Sequence, residues 1–192
     1  KIIYLKGAPE VRMNGVCAGG TGSFIDHMAS LLSTDALGLN SLAEKGKQIY
    51  TIASRCGVFA KTDIQALMND GVKKADIALS IFQAVVNQTI GNLAQGRAID
   101  GAVAFLGGPL HFLPELRKRF IETLNLSPDK VVNTANGNFY VATGAALCTD
   151  AENFSVNQLE QSLIKVSAIN ETRKSTFVLF RNDDDYKIFK TR

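Results

Sequence analysis

The segment from Asp76 to about Ala94 limits the possible folds more than any other part of the sequence. Its apolar residues recur at helical spacing and line one face: Ile77, Ile81, Val85, Ile90 and Leu93. A helix of this length with one apolar face has to bury that face against neighbouring elements. We therefore predict one long helix, with shorter elements on either side of it in the chain.

Those shorter elements alternate between strand and helix patterns. Strands are predicted at residues 1–6, 11–14, 102–108 and 130–133. Residues 49–59 are also rich in β-branched and aromatic residues and begin with a strand-like run. Helices are predicted at 21–33, at 34–45 with an N-cap at Thr34-Asp35, at 116–124 and at 140–147. One more is predicted to begin at a Thr62-Asp63 cap and to stop at Gly71. The run at 102–108 is continuously apolar and ends in two glycines, which is typical of a buried parallel strand. This alternation predicts an α/β layered domain.

The character of the sequence changes near residue 150. An amphipathic helix pattern, a strand pattern (STFVLF) and a charged helix start (DDDYKIFK) follow one another there. We predict one domain over 1–149 and a linker or appendage over 150–192 that leads to domains outside this sequence. Because a strand pattern starts at Lys1 with no methionine before it, we expect the sequence to be a piece of a longer protein.

Composition excludes several classes of protein. The 192 residues are 46% hydrophobic and 20% charged, as in ordinary globular domains. A net charge of +3, with the basic residues scattered, argues against a nucleic-acid partner. No apolar run approaches the roughly 18 residues of a membrane helix, and no signal peptide is visible, so we expect a cytoplasmic protein without a membrane partner. The three cysteines would then be free, catalytic or metal-bound.

Cys17 lies in NGVCAGGTGSF, immediately before a predicted helix. The positive end of a helix dipole favours a thiolate, which suits a nucleophile or a metal ligand, whereas a buried thiol would be inert. Cys56 also lies beside a glycine and before a predicted helix. Cys148 is predicted to lie in the hydrophobic core. Zinc or a cubane cluster needs four thiolates, so two per chain suffice only if two chains share the metal. A cysteine hydrolase is disfavoured, because nothing is placed to orient His27 or His111.

Two glycine turns are the other candidate sites. CAGGTG, which contains Gly19, Gly20, Thr21 and Gly22, precedes a helix, and Gly107-Gly108 follows an apolar run. Either turn is able to present backbone N–H groups to an anion or to let a ligand approach the backbone. Neither has the spacing of a known phosphate-binding motif, so a structural turn is the favoured interpretation of either one taken alone.

Four stretches in order carry a family resemblance: NGVCAGGTGSFIDHMASLL, SRCGVFAKTDIQALMNDG, DIALSIFQAVVNQTIGNLAQGR and VAFLGGPLHFLPELRKRF. Together they resemble the ATP-dependent activators of 2-hydroxyacyl-CoA dehydratases and the ATPase subunits of benzoyl-CoA reductase. That family has the ribonuclease-H-like ATPase fold of actin, sugar kinases and heat-shock chaperones. The resemblance covers about residues 1–148, which would be the second subdomain only, with a C-terminal α/β appendage. Where the residues of these motifs differ from the usual family motifs, they resemble those of large fused CoA-substrate-specific enzyme activases.

The resemblance implies a site and partners. Cys17 and Cys56 would ligate a 4Fe-4S cluster shared between two protomers or activase modules. ATP and Mg would bind the complete module in a cleft, beside Gly19, Gly20, Thr21 and Gly22, with Gly107 and Gly108 on the adenosine side. ATP hydrolysis would drive a low-potential electron to a dehydratase component, and ferredoxin or flavodoxin would resupply it.

The family's two phosphate loops have no counterpart in this sequence. We therefore expect the isolated chain to bind ATP weakly or not at all, and a micromolar affinity by calorimetry would contradict this. The main alternative is a non-catalytic regulatory or interaction domain of the same fold with buried structural cysteines. A sugar-kinase-like transferase is disfavoured, because Asp26 and Asp63 are better interpreted as helix residues than as a catalytic motif.

Overall fold

A computed structural model describes residues 1–13, 22–53, 56–149, 155–171, 180 and 182–191, with the side chains of α8 described as far as residue 166. These residues form two compact units, Lys1–Leu147 and Cys148–Arg192. The strands are β1 (Ile2–Tyr4), β2 (Glu10–Arg12), β3 (Val103–Ala104) and β4 (Val131–Val132). The helices are α1 (Gly22–Leu31), α2 (Ala36–Ala43), α3 (Gly57–Asn69), α4 (Lys74–Ala94), α5 (Gly108–Phe112), α6 (Pro114–Thr123), α7 (Tyr140–Cys148), α8 (Val156–Glu171) and α9 (Asp183–Lys190).

Helix α4 is the predicted long helix, and it forms the centre of the first unit. It packs against α1, α2, α3 and α6, and its side chains from Ile77 to Phe82 are all buried. Among the described helices, α4 is long and apolar enough to cross a membrane by length and composition alone. However, 67% of its most apolar stretch is buried within the protein, as expected of a core helix.

Helix α1 contributes the second large block of core residues and leads directly to α2. Phe24, Ile25, Met28 and Ala29 of α1 are buried, which confirms the predicted helical face. The cap at Asp35 is also confirmed, because its carboxylate accepts a hydrogen bond from the N–H of Gly38 at 2.7 Å. Such a bond satisfies a free N–H at the start of the helix.

The sheet content is smaller than the alternating pattern predicted. β1 and β2 form an antiparallel hairpin with Ile3 opposite Val11, and β3 and β4 pair in parallel with Val103 opposite Val131. These are separate two-stranded sheets. The fold of the described residues is thus mixed helix and sheet, with helices predominant.

Strand β3 is only partly buried, which corrects the prediction of a buried strand. Phe105 packs into the core at 7% exposed, whereas Ala104 is exposed and Leu106 is 38% exposed. Alternate residues of a strand point to opposite faces, so this pattern shows that helices cover one face of the β3–β4 sheet. The opposite face, which includes Val132, is exposed.

The hairpin is attached to the C-terminal end of α4. The guanidinium of Arg12 donates to the carbonyl oxygen of Ala94 at 2.6 Å, where the last helix carbonyls have no partner within the helix. Arg12 and Arg97 both pair with Glu10. The hydrogen bond from Arg12, supported by the charge of Arg97, holds the pKa of the Glu10 carboxyl below its usual value.

The described residues of the predicted strand-like run before Cys56, 49–53, do not form a strand. Residues 46–53 have no regular secondary structure. We call residues 47–53 the strap, because their backbone N–H groups donate hydrogen bonds to side chains of α3 and α4. The next helix, α3, begins at Gly57 with Cys56 as its N-cap. The predicted cap at Thr62-Asp63 is therefore wrong, and both residues lie inside the helix.

The second unit contains α8 and α9. Asn182 caps α9 by accepting a hydrogen bond from the N–H of Asp185 at 2.9 Å, and three aspartates occupy the first turn, where the helix dipole favours negative charge. The ring of Phe180 lies against those of Tyr186 and Phe189. The strand predicted at STFVLF lies almost wholly outside the described residues.

Candidate functional site

A cleft of about 370 Å³ joins the N-terminal ends of α1 and α5. Gly22, the first residue of α1, and Gly108, the first residue of α5, both line it. A Cβ added to Gly22 would lie 4.0 Å from Cγ of Pro109, so the starts of the two helices are in close contact. The structure thus brings together one residue from each of the two predicted glycine turns.

Gly107 sets the entry to α5. Its φ of 95° and ψ of 163° lie in a region that is essentially restricted to glycine. Its N–H donates to the carbonyl oxygen of Gly137 at 3.0 Å, which attaches the turn to the segment before α7. This conformation lets β3 turn sharply into α5. A Cβ on Gly108 would meet no described atom within 4 Å, so its backbone is open to a ligand.

Asp26 is the one charged residue among the described residues that line the cleft. It lies one helical turn after Gly22, and its neighbours in the cleft wall are mostly apolar, including Ile25 and Phe112. The sequence analysis correctly placed Asp26 on a helix but missed its position in the cleft. The four-residue spacing from Gly22 was the available signal, because such residues share a helix face.

Cys56 stands at the N-terminus of α3 in extended conformation and is partly exposed. In the described part of the chain its thiol makes no capping hydrogen bond, so the sulfur is available as a ligand. A Cβ added to the next residue, Gly57, would lie 3.9 Å from the ring of Phe24 on α1. Cys56 therefore begins a helix that packs against α1, the helix that also borders the cleft.

Three side chains hold the strap before Cys56. Asp76 Oδ1 accepts hydrogen bonds from the backbone N–H groups of Lys47 and Gln48, at 2.7 and 3.0 Å. These two bonds lower the pKa of Asp76. Ser80 Oγ accepts from the N–H of Tyr50 at 2.8 Å.

The third side chain, Asp63, bonds the part of the strap that is nearest to Cys56 in sequence. Asp63 Oδ2 accepts from the N–H of Ala53 at 2.8 Å. These side-chain oxygens satisfy strap N–H groups that would otherwise need a neighbouring strand or water as their acceptor. Sequence reasoning missed the structural use of Asp63, and no local signal would have shown it.

The remaining predicted site residues lie outside the described part of the chain: Cys17, Gly19, Gly20 and Thr21. Cys148 is exposed, which corrects the prediction that it is core, because α7 has no buried residue among those described. His27 is exposed on α1. No group of three or more His, Cys, Asp or Glu side chains able to hold a metal occurs within the described residues.

The sequence profile of the BadF/BadG/BcrA/BcrD ATPase family matches residues 2–149. The chain belongs to this ATPase family. Among individual relatives, the (R)-2-hydroxyglutaryl-CoA dehydratase activating ATPase of Acidaminococcus fermentans is 34% identical over 110 residues. That alignment covers 56% of this chain and 42% of the relative. The resemblance to dehydratase activators is thereby confirmed.

Two solved structures share the fold with this family member. Component A of the same Acidaminococcus fermentans dehydratase has a TM-score of 0.64 and 32% identity, covering 71% of this chain and 51% of that chain. The Clostridium difficile activator of 2-hydroxyisocaproyl-CoA dehydratase, solved with bound ADPNP, has a TM-score of 0.62 and 24% identity, covering 74% and 55%. The second likeness shows the fold alone. The chain spans about half the length of these relatives.

Proposed function

We propose that this chain is part of an ATP-dependent iron–sulfur activator, which couples ATP hydrolysis to delivery of a low-potential electron to a 2-hydroxyacyl-CoA dehydratase-type enzyme. One observation carries the proposal: α1 packs against the helix that begins after Cys56 and also supplies Gly22, Ile25 and Asp26 to the cleft. A change in the cleft would therefore reach the cysteine through a single rigid helix. In this proposal, residues 1–149 are the second subdomain of an activase module and 150–192 are a linker.

We place the adenosine part of ATP in the cleft. Its largely apolar wall suits a purine ring, and Gly108 lets the ring approach the backbone closely. The carboxylate of Asp26 is an acceptor suited to ribose hydroxyl groups. Gly19, Gly20 and Thr21 would border the phosphates, and Mg²⁺ would bind with ATP in the complete module.

Cys56 fits the role of a cluster ligand. Its thiol is partly exposed and free of capping bonds in the described structure, and it lies at the N-terminal end of α3. Cys17, five positions before Gly22, would be the second ligand. A 4Fe-4S cluster takes four thiolates, so a second protomer or module would supply the other two. When bound, the cluster supplies one-electron transfer at low potential.

The surface beside Cys56 suits a protein partner. Val58 and Phe59 follow it in the first turn of α3 and are 72% and 65% exposed. Exposed apolar residues grouped at a site favour protein contacts. The proposed partners are a second activase module or protomer, the dehydratase component, and ferredoxin or flavodoxin as electron donor, all in the cytoplasm.

The alternative of a regulatory domain with buried structural cysteines is not favoured by the described residues. Cys56 is only partly buried and Cys148 is exposed. A cysteine retained for packing would be expected in the core.

Anaerobic reconstitution with iron and sulfide tests the proposal. The wild-type chain is expected to gain iron and a broad visible absorbance. Both are expected to be lost in Cys17→Ser and in Cys56→Ser, and kept in the matched control Cys148→Ser. Equal iron retention by wild type and Cys56→Ser would refute the role given to this cysteine.

A further inference from the structure

Hydrogen bonds hold the chain at Cys56 itself and at Ala53, three residues before it, but by different means. On the C-terminal side its carbonyl oxygen accepts the first helical hydrogen bond of α3, from the N–H of Ala60 at 3.0 Å. Ala60 and Ile64 are completely buried, so this side is fixed by the core. On the N-terminal side, the nearest described contact is the bond from the N–H of Ala53 to Asp63.

We propose that Asp63 is a positioning residue for Cys56. Asp63 lies on α3, the helix that Cys56 begins, and Ala53 lies three residues before Cys56 at the end of the strap. The hydrogen bond between them closes a loop of chain from Ala53 to Asp63, and Cys56 is part of this loop. Since α3 is anchored by buried residues, Asp63 transmits that rigidity to the segment before Cys56. This inference rests on the proposed role of Cys56 as a cluster ligand.

A ligand site shared between two chains depends strongly on such positioning. Each chain would supply only two thiolates, so a displaced Cys56 loses its metal bond with little compensation from its neighbours. Residues that orient metal ligands typically change metal affinity by about 10- to 100-fold when they are replaced. Asp63 acts through the backbone and not through the sulfur, so we expect an effect near the lower limit, about 10-fold.

Two substitutions separate the hydrogen bond from the charge. Asp63→Ala removes the acceptor, whereas Asp63→Asn keeps an amide oxygen able to accept from Ala53. Asp70→Ala is the matched control, because it removes the same charge from the exposed C-terminal end of the same helix. All three are made in the full 192-residue chain.

Two measurements test the proposal. The first is the rate of iron loss to a chelator after anaerobic reconstitution. The second, on iron-free protein, is the rate of iodoacetamide labelling at Cys56, resolved from the other cysteines by peptide mass spectrometry. For Asp63→Ala we expect iron loss about 10-fold faster than in wild type, and faster labelling at Cys56. Asp63→Asn and Asp70→Ala are expected to resemble wild type in both measurements.

The outcomes separate this inference from the proposed function. Asp63→Ala with wild-type iron loss and wild-type labelling at Cys56 would overturn the positioning role. The positioning role would also be overturned if Asp70→Ala lost iron and became labelled as fast as Asp63→Ala, because a general loss of helix stability would then explain both results. If Cys56→Ser retains iron, the proposed function fails; if Cys56→Ser loses iron while Asp63→Ala matches wild type in both measurements, the positioning role alone fails.

Discussion

Replacing Ser80 by alanine tests whether helix side chains hold the strap. Ser80 is 1% exposed, and its hydroxyl has two partners. It donates to the carbonyl oxygen of Asp76 at 2.6 Å, four residues earlier in α4, and accepts from the N–H of Tyr50 at 2.8 Å. Ser80→Ala removes both bonds while leaving the core shape nearly unchanged.

The expected cost comes mainly from the Tyr50 N–H. A buried donor left without a partner costs about 1–3 kcal/mol. The first bond matters less, because the Asp76 carbonyl oxygen keeps its helical partner, and alanine is a better helix former than serine by up to about 0.7 kcal/mol. The free energy of unfolding should therefore fall by about 1–2 kcal/mol.

A second hydroxyl on α4 provides the control. Thr89 also donates to the carbonyl oxygen four residues earlier, that of Val85 at 2.7 Å, but no strap N–H donates to it. Thr89→Val removes that hydroxyl with little change in shape, so it measures the helical bond alone. We expect this variant to stay within about 0.5 kcal/mol of wild type.

The assay is urea unfolding followed by the helical circular dichroism signal, since the chain has no tryptophan. With a denaturant slope of about 2 kcal/mol per molar urea, Ser80→Ala should lower the midpoint by about 0.5–1 M. Equal midpoints for Ser80→Ala and Thr89→Val would refute the reasoning. The strap would then gain no stability from its bond to α4.

Two further predictions concern Gly107 and Asp76. Gly107→Ala should lower the free energy of unfolding by about 1–3 kcal/mol, because φ is 95° there. Gly108→Ala should change it by less than about 0.5 kcal/mol, and equal losses in urea titrations would contradict this. The Asp76 carboxylate, whose pKa the two strap amides lower, contributes stability that is present above its unfolded pKa and lost as pH falls through the folded value. The stability difference between wild type and Asp76→Asn should therefore be present at pH 7 and shrink below about pH 4, and a difference independent of pH would refute it.

Helices were largely predictable, but of the two predicted N-caps the one at Thr34-Asp35 is confirmed and the one at Thr62-Asp63 is wrong. The periodicity of α4 indicated a helix with a buried face, and Asp35 was correctly identified as the cap of α2. Both signals are short-range, because a helix face repeats every three or four residues and a cap bonds within one turn. The glycine turn at Gly107 was likewise recognisable.

Sheet structure and burial were less predictable. In the described part of the strand-like run before Cys56, the N–H groups of Tyr50 and Ala53 donate to Ser80 and Asp63 and not to a neighbouring strand. β-propensity reports how well a residue suits a pleated, half-buried surface and does not specify which partner it meets. The exposure of Cys148 has a similar origin, since burial depends on what packs against a helix.

The amino-acid pattern alone thus determined the main helices, the cap of α2 and the glycine turn at Gly107, since these depend on local spacing. The order of four motifs along the chain determined the family resemblance. Packing brought Gly22 to Pro109, placed Asp26 in the cleft, and set Asp63 against the backbone of Ala53. These contacts join residues from different elements, and their partners follow from how the helices pack around α4. The sequence around a helix carboxylate does not indicate the distant N–H group from which that carboxylate accepts a hydrogen bond.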